Sequence, residues 1–498
     1  MQPGEDLIKL GMDIHTGNPG PNNIYFVILL KKLMKHLILS FFSIVFLLTS
    51  CSKEANKNVF TGGIVLTSPE EIAEFGANNY TKVEGSLSII DADNANQITS
   101  LQPLQSLIEI SGELKITCPY LESLNGLNNI TTIGNLEIYE CNSLSNLIGL
   151  SNLSFTNYLE ISSNESLINL EGLQSLATVG IIRLSNNAAL QNLIGLEGLT
   201  GVVGGNGIQG VDIFTNISLE SLAGLNNLST LKGKLTIWNN NSLASLSGLD
   251  NLRNVSAGVN IENNQNLTNL TGLDNLNSIG GRLIIEDNNS LYDLVGLESV
   301  SEILTGFIIR NNSSLESLNG LRNINIGTSH INIYNNPALI DFGMMQITSS
   351  TVSDIYIVNN PSLTSISGLG NISHANRSLE IRNNSSLTSL AGFGNLSSIE
   401  IQLLIVDNDN LTSIAALQNL SAAKNIRIGA NPSLTSLTGL GNLINVERQF
   451  KIDNNSLLTD FCSLRQELII NLLFDYYTVT GNAHNPSIQD LINGNCSL

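Results

Sequence analysis

The chain has 498 residues and a formal net charge of −20 at pH 7, and only 13% of its residues are charged. Nucleic-acid binding needs a basic face, so this composition excludes a nucleic-acid-binding protein. The acidity is better interpreted as a solubility feature than as a function. A chain of this length would ordinarily hold several domains, but an unbroken internal repeat predicts one elongated domain.

The amino-terminal region predicts an export signal that begins after residue 1. Residues 1–33 match neither an export signal nor the repeats of the later chain, so we expect them to be upstream sequence and Met34 to be the start. A short basic region and an apolar run over 37–48 then lead to Leu48-Thr-Ser-Cys51. This order predicts a secretory signal, and its end resembles the bacterial lipoprotein signal, which implies that Cys51 is the lipidated residue. The alternative is a membrane anchor over 24–48, which Lys31, Lys32 and Lys35 would interrupt.

An amino cap comes after a polar tether at 51–58. Residues 63–66 predict a strand, and Ser68-Pro-Glu-Glu71 combines a helix N-cap, a proline at the first helical position and a capping-box glutamate. We expect a short helix to about Phe75 that covers the open end of the first coil, with the first coil entered from Tyr80.

From about Leu114 to Leu458 the chain repeats the pattern L-x-I-x-N-N-x-x-L-x-x-L-x-G-L-x-x-L. The inward Ile or Leu of each L-x-I piece, called the anchor here, recurs every 24 residues from Ile237 to Ile405 and every 22 to 29 residues outside that run. A fixed period of this length is typical of a solenoid. The alternating L-x-I piece predicts a short strand, the asparagines predict a turn, and the later leucines predict a core that continues from coil to coil. About fifteen coils would form a rod roughly 70 Å long.

Two further positions of the repeat predict local structure. Glycine recurs eleven residues after the anchor, where a side chain would crowd the bend or φ must be positive; Met344 and Ala416 depart from it, so those coils should be less regular. Buried amides must be paired, so we interpret the asparagine three residues after each anchor as a structural side-chain ladder. Its predicted members are Asn240, Asn264, Asn288, Asn312, Asn336, Asn360, Asn384, Asn408, Asn431 and Asn455.

The motif resembles leucine-rich repeats and, more closely, the receptor L-domain, because two residues rather than one separate the asparagine from the next leucine. The strand, the helix and Tyr80-Thr-x-Val-x-Gly-x-Leu-x-Ile89 are also similar to an L-domain opening. The resemblance covers roughly residues 60–498. It implies a mainly β fold, a right-handed parallel β-helix of about 24-residue coils with short helical caps, and binding of proteins. It leaves open whether a break near 342–353 divides the rod into two L-domain units.

A glycine-rich insertion and a carboxyl cap complete the chain. Gly205-Asn-Gly-Ile-Gln-Gly210 matches G-x-G-x-x-G, but it precedes a strand and opens no helix, so we interpret it as a bulging loop and not a dinucleotide site. Ser463 to Gln466 predicts a capping box, followed by apolar residues at helical spacing (Leu464, Leu468, Ile469, Leu472 and Leu473), and Ser487 to Asp490 predicts a last short helix. The predicted organisation is an upstream segment (1–33), a lipoprotein signal peptide (34–50), a tether (51–58), an amino cap with the first coil (59–113), the repeats (114–457) and the carboxyl cap (458–498).

Four cysteines remain if Cys51 is lipidated, an even number in an exported chain. We predict a Cys462–Cys496 disulfide that pins the carboxyl cap. Cys118 and Cys141 lie one coil apart at near-equivalent corners, so a second bridge is predicted between them, with two buried free thiols as the alternative.

The sequence contains no catalytic constellation and no metal-binding motif. The histidines after Cys51 (His330, His374 and His484) lie in different coils, and Asp407-Asn-Asp-Asn410 lacks the later ligands of a calcium loop. We therefore predict no enzyme activity, no cofactor and no metal.

The exposed side of the strands carries the candidate binding residues. We call the residues just after the anchors the front row and those just before them the rear row. Aromatic and arginine residues on a rigid exposed sheet are typical of binding hot spots, although strands favour aromatic residues on any half-exposed face. Phe214 and Trp238 should stack, and Glu286 and Arg310 should form a cross-strand pair. The predicted stripe consists of Phe214, Trp238, Glu262, Glu286, Arg310, Tyr334 and Tyr356.

These observations predict a non-enzymatic, lipid-anchored protein of a bacterial cell envelope, expected on the outer membrane, exposed at the surface and monomeric. Its ligand is predicted to be a protein bound by the stripe. One alternative is a glycan-binding module in which Phe214 and Trp238 stack on sugar rings beside Asp212 and Glu262. The other is a passive structural or adhesive rod.

Overall fold

A computed structural model describes residues 58–91, 97–204, 209–471 and 477–498. These residues form a parallel β-solenoid of about 17 turns with little helix, as the repeat predicts. The predicted start at Met34, the signal peptide and Cys51 lie outside the described residues, as do 205–208 of the glycine-rich insertion and Leu472 and Leu473 of the carboxyl cap.

One turn shows how the repeat produces the fold. Leu235 and Ile237 of the strand Leu235–Trp238 are fully buried, and Trp238 is exposed. Asn239 then adopts a φ of 58°, a left-handed conformation that asparagine tolerates better than most residues. Leucines then return along the core at three-residue spacing, all of them buried (Leu243, Leu246, Leu249 and Leu252).

Most turns contribute a strand that ends at the front row, and the pairs between named strands are parallel. The register is regular at the front row, whereas four pairs of the longer strands shift their register nearer the start of the strand. In the middle of the stack, short separate strands precede the main ones; in turns nearer the ends, the two merge into strands of eight or nine residues. The strands are β1 Val59–Thr61, β2 Ile64–Leu66, β3 Lys82–Glu84, β4 Leu87–Ile90, β5 Glu109–Thr117, β6 Thr132–Tyr139, β7 Phe155–Ser162, β8 Thr178–Ser185, β9 Gly201–Val202, β10 Val211–Phe214, β11 Thr230–Leu231, β12 Leu235–Trp238, β13 Asn254–Val255, β14 Val259–Glu262, β15 Ser278–Ile279, β16 Leu283–Glu286, β17 Glu302–Ile303, β18 Phe307–Arg310, β19 Ile331–Tyr334, β20 Thr351–Val358, β21 His374–Arg382, β22 Ser398–Val406, β23 Ala422–Gly429, β24 Asn445–Asp453 and β25 Tyr477–Thr480.

The asparagine ladder is present. Asn288 is typical: its Nδ2 donates to the carbonyls of Ile261 and Glu286 at 2.8 and 3.0 Å, and its Oδ1 accepts the backbone N–H of Asn264 at 2.9 Å. All ten predicted members are fully buried. The ladder also includes four residues that were not predicted, namely Asn164, Asn187, Asn216 and Asn482.

The stack continues across 342–353. Strand β19 pairs with β20 from Ile331 to Tyr334, and the Asn336 amide N–H donates to Asn360 Oδ1 at 3.1 Å. Strand pairing and the ladder therefore run unbroken through the segment where two units could have met.

Glycine recurs at this corner for two reasons, a positive φ and the close approach of the preceding turn, and some turns have only the second. Gly272 has a φ of 113°, and a Cβ there would lie 2.1 Å from the carbonyl oxygen of Leu246. Gly149 and Gly368 instead lie in short 3₁₀ turns, Ile148–Leu150 and Ser367–Leu369, without a positive φ. Crowding alone excludes a side chain at Gly149, since its Cβ would lie 2.1 Å from the carbonyl oxygen of Leu124.

The two departures from glycine use different corners. Ala416 lies in a 3₁₀ turn, Ala415–Leu417, which needs no positive φ. Another such turn is Gln102–Leu104. At Met344 the preceding Gly343 takes the positive φ, and the amide of Met344 donates to the side chain of Asn319 at 3.2 Å.

The amino cap contains helix α1, Pro69–Ala77. Ser68 is its N-cap and accepts the N–H of Glu71 at 3.2 Å, as predicted. The Glu71 carboxylate accepts the N–H of Thr67 at 2.6 Å, one residue before the position that the capping-box prediction implied. The helix buries Ile72 and Phe75 against the first coil.

The carboxyl cap contains α2, Gln466–Asn471, and α3, Ile488–Ile492. The Ser487–Asp490 capping box of α3 is confirmed. The capping box predicted at Ser463 is wrong: Ser463 lies in a turn where the Leu464 amide donates to Phe461, so the helix begins only at Gln466. The predicted Cys462–Cys496 disulfide is present and ties the two ends of the cap together.

The predicted Cys118–Cys141 disulfide is wrong, because both residues are buried free thiols. Cys118 Sγ points to the carbonyl of Ile89 at 3.5 Å, and Cys141 Sγ points to that of Ile116 at 3.6 Å. The Cys118 amide donates to Cys141 Sγ at 3.4 Å. The thiols thus take the places that asparagine amides take in later turns, each directed at the preceding turn rather than at the other sulfur.

Candidate functional site

The strand register aligns the predicted stripe. Phe214, Trp238, Glu262, Glu286, Arg310 and Tyr334 are consecutive partners in the front row. Tyr356 lies in the rear row beside Asn332 and is not part of that line. Six of the seven predicted residues therefore form one row, and the seventh lies on the neighbouring row.

Phe214 and Trp238 are neighbours, but they do not stack face to face. Their ring centroids are 6.0 Å apart and the rings are tilted by 37°. The guanidinium of Arg183 lies 5.0 Å from the centre of the Phe214 ring, within the range of a cation–π contact. Trp238 remains 42% exposed, so its indole is the open aromatic surface of the pair.

A shallow, open groove of about 380 Å³ surrounds this pair. Its walls come from the front row, the rear row and the position two residues before the rear row. The lining residues are Arg183, Asp212, Phe214, Lys234, Thr236, Trp238, Asn260 and Glu262. Arg183 and Lys234 were not among the residues predicted from the sequence, although Arg183 occupies the same rear-row position as Asp212.

The polar groups of the groove differ in how firmly they are held. Asn260 is only 7% exposed and donates from Nδ2 to Glu262 Oε1 at 2.5 Å, so this amide and carboxylate are fixed by each other. Among the described residues, neither Asp212 nor Lys234 has an ion-pair partner within 4.0 Å. Thr236 lies directly beside Asp212 in the rear row. The groove therefore presents a carboxylate and an ammonium that are free to meet a ligand.

The second half of the stripe is a linked cluster. Arg310 forms the predicted ion pair with Glu286, with Nη2 2.5 Å from Oε2, and Nη1 donates to the Tyr334 hydroxyl at 2.6 Å. The guanidinium also lies 5.5 Å from the centre of the Tyr334 ring. The hydrogen bond to Glu286 raises the pKa of Arg310 further, so this side chain stays charged.

Tyr356 belongs to a separate cluster around the buried carboxylate of Asp354. The Tyr356 hydroxyl donates to Asp354 Oδ1 at 3.2 Å. Burial is the main cause that raises the pKa of the phenol, and the negative charge of Asp354 raises it further. His330 and Arg377 contact Asp354 Oδ2 at 3.0 and 3.4 Å. These contacts hold Tyr356 in the sheet surface, so it is a weaker candidate for ligand binding than Trp238.

The described residues hold no group of three or more histidine, cysteine or acidic side chains that could bind a metal. The part of the chain that the structure describes also contains no helix of the length and apolarity that crossing a bilayer requires. Asp407 and Asn408 lie on a regular corner, where Asn408 is a ladder member.

No family model matches the chain, and no curated protein does. Among solved structures, the chain is similar to a leucine-rich-repeat protein of Leptospira interrogans, at 15% identity with a TM-score of 0.29 over 86% of this chain and 97% of that one. It is also similar to TLR13 in a complex with single-stranded RNA, at 14% identity with a TM-score of 0.17 over 88% of this chain and 82% of that one. Neither likeness is close enough to bear on a ligand or a site.

Proposed function

We propose that this chain is a non-enzymatic, lipid-anchored protein of a bacterial envelope that binds a protein partner through the outward face of its strands. The observation that supports this most is the uninterrupted front row from Phe214 to Tyr334, which combines an aromatic pair and a tyrosine with an arginine. Tryptophan, tyrosine and arginine dominate the energetics of protein interfaces.

The scaffold favours recognition because it is rigid before a ligand arrives. The front row lies on strands whose neighbouring side chains are buried and whose corners are held by the asparagine ladder. Binding then orders few new groups, which lowers its entropic cost. At about 4.8 Å per strand, Phe214 and Tyr334 lie about 24 Å apart, a span that a folded partner can cover.

The partner is tested by capture. The full chain, purified in detergent, would be immobilised and exposed to envelope and host extracts beside a Phe214→Ala/Trp238→Ala/Tyr334→Ala variant. Tyr292→Ala is the matched control, because Tyr292 is 53% exposed but lies outside both rows.

We expect the native chain and Tyr292→Ala to retain the same single polypeptide, and the triple variant to bind it at least about 100-fold more weakly. Equal retention by all three proteins would exclude the front row as the binding surface. Retention of no polypeptide by the native chain would favour a passive rod.

The anchor is proposed from the residues around Cys51 and is tested separately. Expressed with its amino-terminal segment, the chain should incorporate labelled fatty acid and sediment with membranes. Cys51→Ser should abolish both, whereas Ser52→Ala, which keeps the cysteine, should still be labelled. Labelling of Cys51→Ser would show that the acyl chain is elsewhere or that another anchor is used.

A further inference from the structure

We propose that the groove around Trp238 is a binding site for an uncharged sugar ring, so that the partner is recognised in part through a glycan. This inference rests on the proposed function, because the groove is one end of the front row. The groove would bind its ligand through different contacts from those of the Glu286–Arg310–Tyr334 cluster at the other end of the row. The groove and the cluster can therefore be tested separately.

The aromatic part of the groove offers one open platform. Arg183 lies over the Phe214 ring at 5.0 Å, so part of that ring is already covered. Trp238 has no comparable contact with a cation in the described structure and is 42% exposed. The apolar C–H face of a pyranose can lie against such an indole, because the negative face of an aromatic ring attracts the weakly positive C–H groups.

The polar part surrounds this platform with groups that suit sugar hydroxyls. Asp212 can only accept hydrogen bonds, Lys234 can only donate them, and Thr236 can do both. The Asn260–Glu262 pair, held at 2.5 Å, is a fixed polar edge beside the ring of Trp238. Ligand sites of this kind need a few well-placed polar groups around an apolar surface.

The charges of the groove favour a neutral ligand. Arg183 and Lys234 are balanced by Asp212 and Glu262, in a chain whose formal net charge is −20. A polyanion would meet both carboxylates of the groove and the negative charge of the whole chain. A sugar hydroxyl carries no charge and can pair with either sign.

The residues on either side of Lys234 in the adjacent turns are glycines, so they leave space around its side chain. Gly210 and Gly258 flank it in the adjacent turns, and neither can carry a side chain easily. A Cβ on Gly210 would lie 2.6 Å from the carbonyl oxygen of Lys234, and one on Gly258 would lie 2.9 Å from that of Arg282. Lys234 therefore has no side-chain neighbour at these two positions and can reach into the groove.

Trp238 is the only tryptophan of the chain, so its emission reports directly on the groove. The full chain in detergent would be titrated with methyl glycosides of glucose, galactose, mannose and N-acetylglucosamine and with their disaccharides. We expect at least one of them to give a saturable blue shift and to protect Trp238 from quenching by acrylamide. Asp212→Asn should weaken that binding about 10-fold or more, because it removes a charged acceptor but keeps the shape of the side chain.

Tyr334→Ala is the control that separates the two proposals. It should leave the sugar titration unchanged while weakening capture of a polypeptide. Absence of a saturable shift with every sugar, an unchanged titration for Asp212→Asn, or a response to sulfated oligosaccharides alone would each overturn the sugar site. A captured polypeptide together with a failed sugar titration would leave the proposed function standing and remove only this inference.

Discussion

At the scale of single residues, the buried asparagines replace hydrogen-bond partners that the corner removes from the backbone. Asn288 satisfies two carbonyls and one amide N–H at a place where water cannot enter. A buried polar group left without a partner costs more than the hydrogen bond itself contributes. The amide side chain is therefore a structural part of the core.

We predict that Asn288→Ala lowers the free energy of unfolding by about 2–4 kcal/mol, because several buried groups lose their partner at once. Asn289→Ala is the matched control, because Asn289 is exposed: its Nδ2 donates to the Gln265 side chain at 2.9 Å, and its Oδ1 accepts the Ser313 amide at 3.4 Å, both at the surface. Urea unfolding followed by circular dichroism measures both variants. Equal midpoints for the two would refute the structural role of the ladder.

The thiols of Cys118 and Cys141 should be inert in the folded chain. Burial raises the pKa of Cys118 to about 12 and that of Cys141 to about 11, and only the thiolate reacts readily. Iodoacetamide at pH 9 should leave both cysteines unmodified in native protein and modify both after denaturation, as read by peptide mass spectrometry. A peptide that links the two cysteines without reduction would contradict the free thiols.

The same shifts give the sign of a pH effect. A thiol whose pKa is raised by folding keeps its proton longer in the folded chain than in the unfolded one. The stability that each thiol contributes is fully present below pH 9.0, the ordinary pKa of a thiol. It is lost as the pH rises toward the folded-state pKa, about 11 for Cys141 and about 12 for Cys118. The unfolding midpoint should therefore fall with increasing pH above about 9.

Single residues also show which parts of the site were accessible from the sequence. The ladder was predictable because its asparagines all lie three residues after an anchor, and the same position identifies Asn164 and Asn216. Asp212 and Trp238 follow from strand alternation in the same way. Lys234 does not, because its place in the groove depends on the glycines on either side in neighbouring turns. The Cys118–Cys141 geometry depends on which carbonyl each sulfur meets, and spacing alone carries no information about that.

At the scale of the element, the corner decides whether a turn can close on the one before it. The positive-φ corner requires glycine for its backbone conformation and for the close carbonyl of the preceding turn. The 3₁₀ corner removes only the first requirement: Ala416 needs no positive φ, whereas at Gly149 the close carbonyl of the preceding turn still excludes a side chain. Sequence predicted where the corners are, but it could not separate these two types, since Gly149 and Gly272 have the same letter pattern around them. The misplaced capping box at Ser463 has a similar cause: the last corner continues through Leu464 and delays the helix.

We predict that Gly272→Ala destabilises the fold by about 2–4 kcal/mol, through backbone strain and overlap with Leu246. Gly394→Ala is the control, because a Cβ there meets no atom within 4 Å and its φ is not positive. Its stability should change by no more than about 0.5 kcal/mol. The comparison is made by urea unfolding at one pH, and a Gly272→Ala midpoint equal to that of Gly394→Ala would refute the argument.

At the scale of the whole solenoid, each turn contacts mainly its neighbours, so its stability is close to a sum over adjacent turns. The Cys462–Cys496 disulfide acts at one end of this stack. It joins two residues that are 34 positions apart in the sequence, and beside it the Phe461 amide donates to the Cys496 carbonyl at 2.8 Å. The groove lies many turns away, between Arg183 and Glu262.

We therefore predict that Cys462→Ser/Cys496→Ser affects one end of the molecule only. Loss of the cross-link should destabilise the carboxyl cap by about 3–4 kcal/mol, and residues 458–498 should exchange their amide hydrogens faster. In the absence of denaturant, amide exchange in the turns around Trp238 should stay unchanged, because no contact of the groove reaches the cap. The emission maximum of Trp238 and the sugar titration should stay unchanged for the same reason. If the emission of Trp238 shifted together with the loss of the cap, the solenoid would unfold as one cooperative unit, and the nearest-neighbour description would be wrong for this chain.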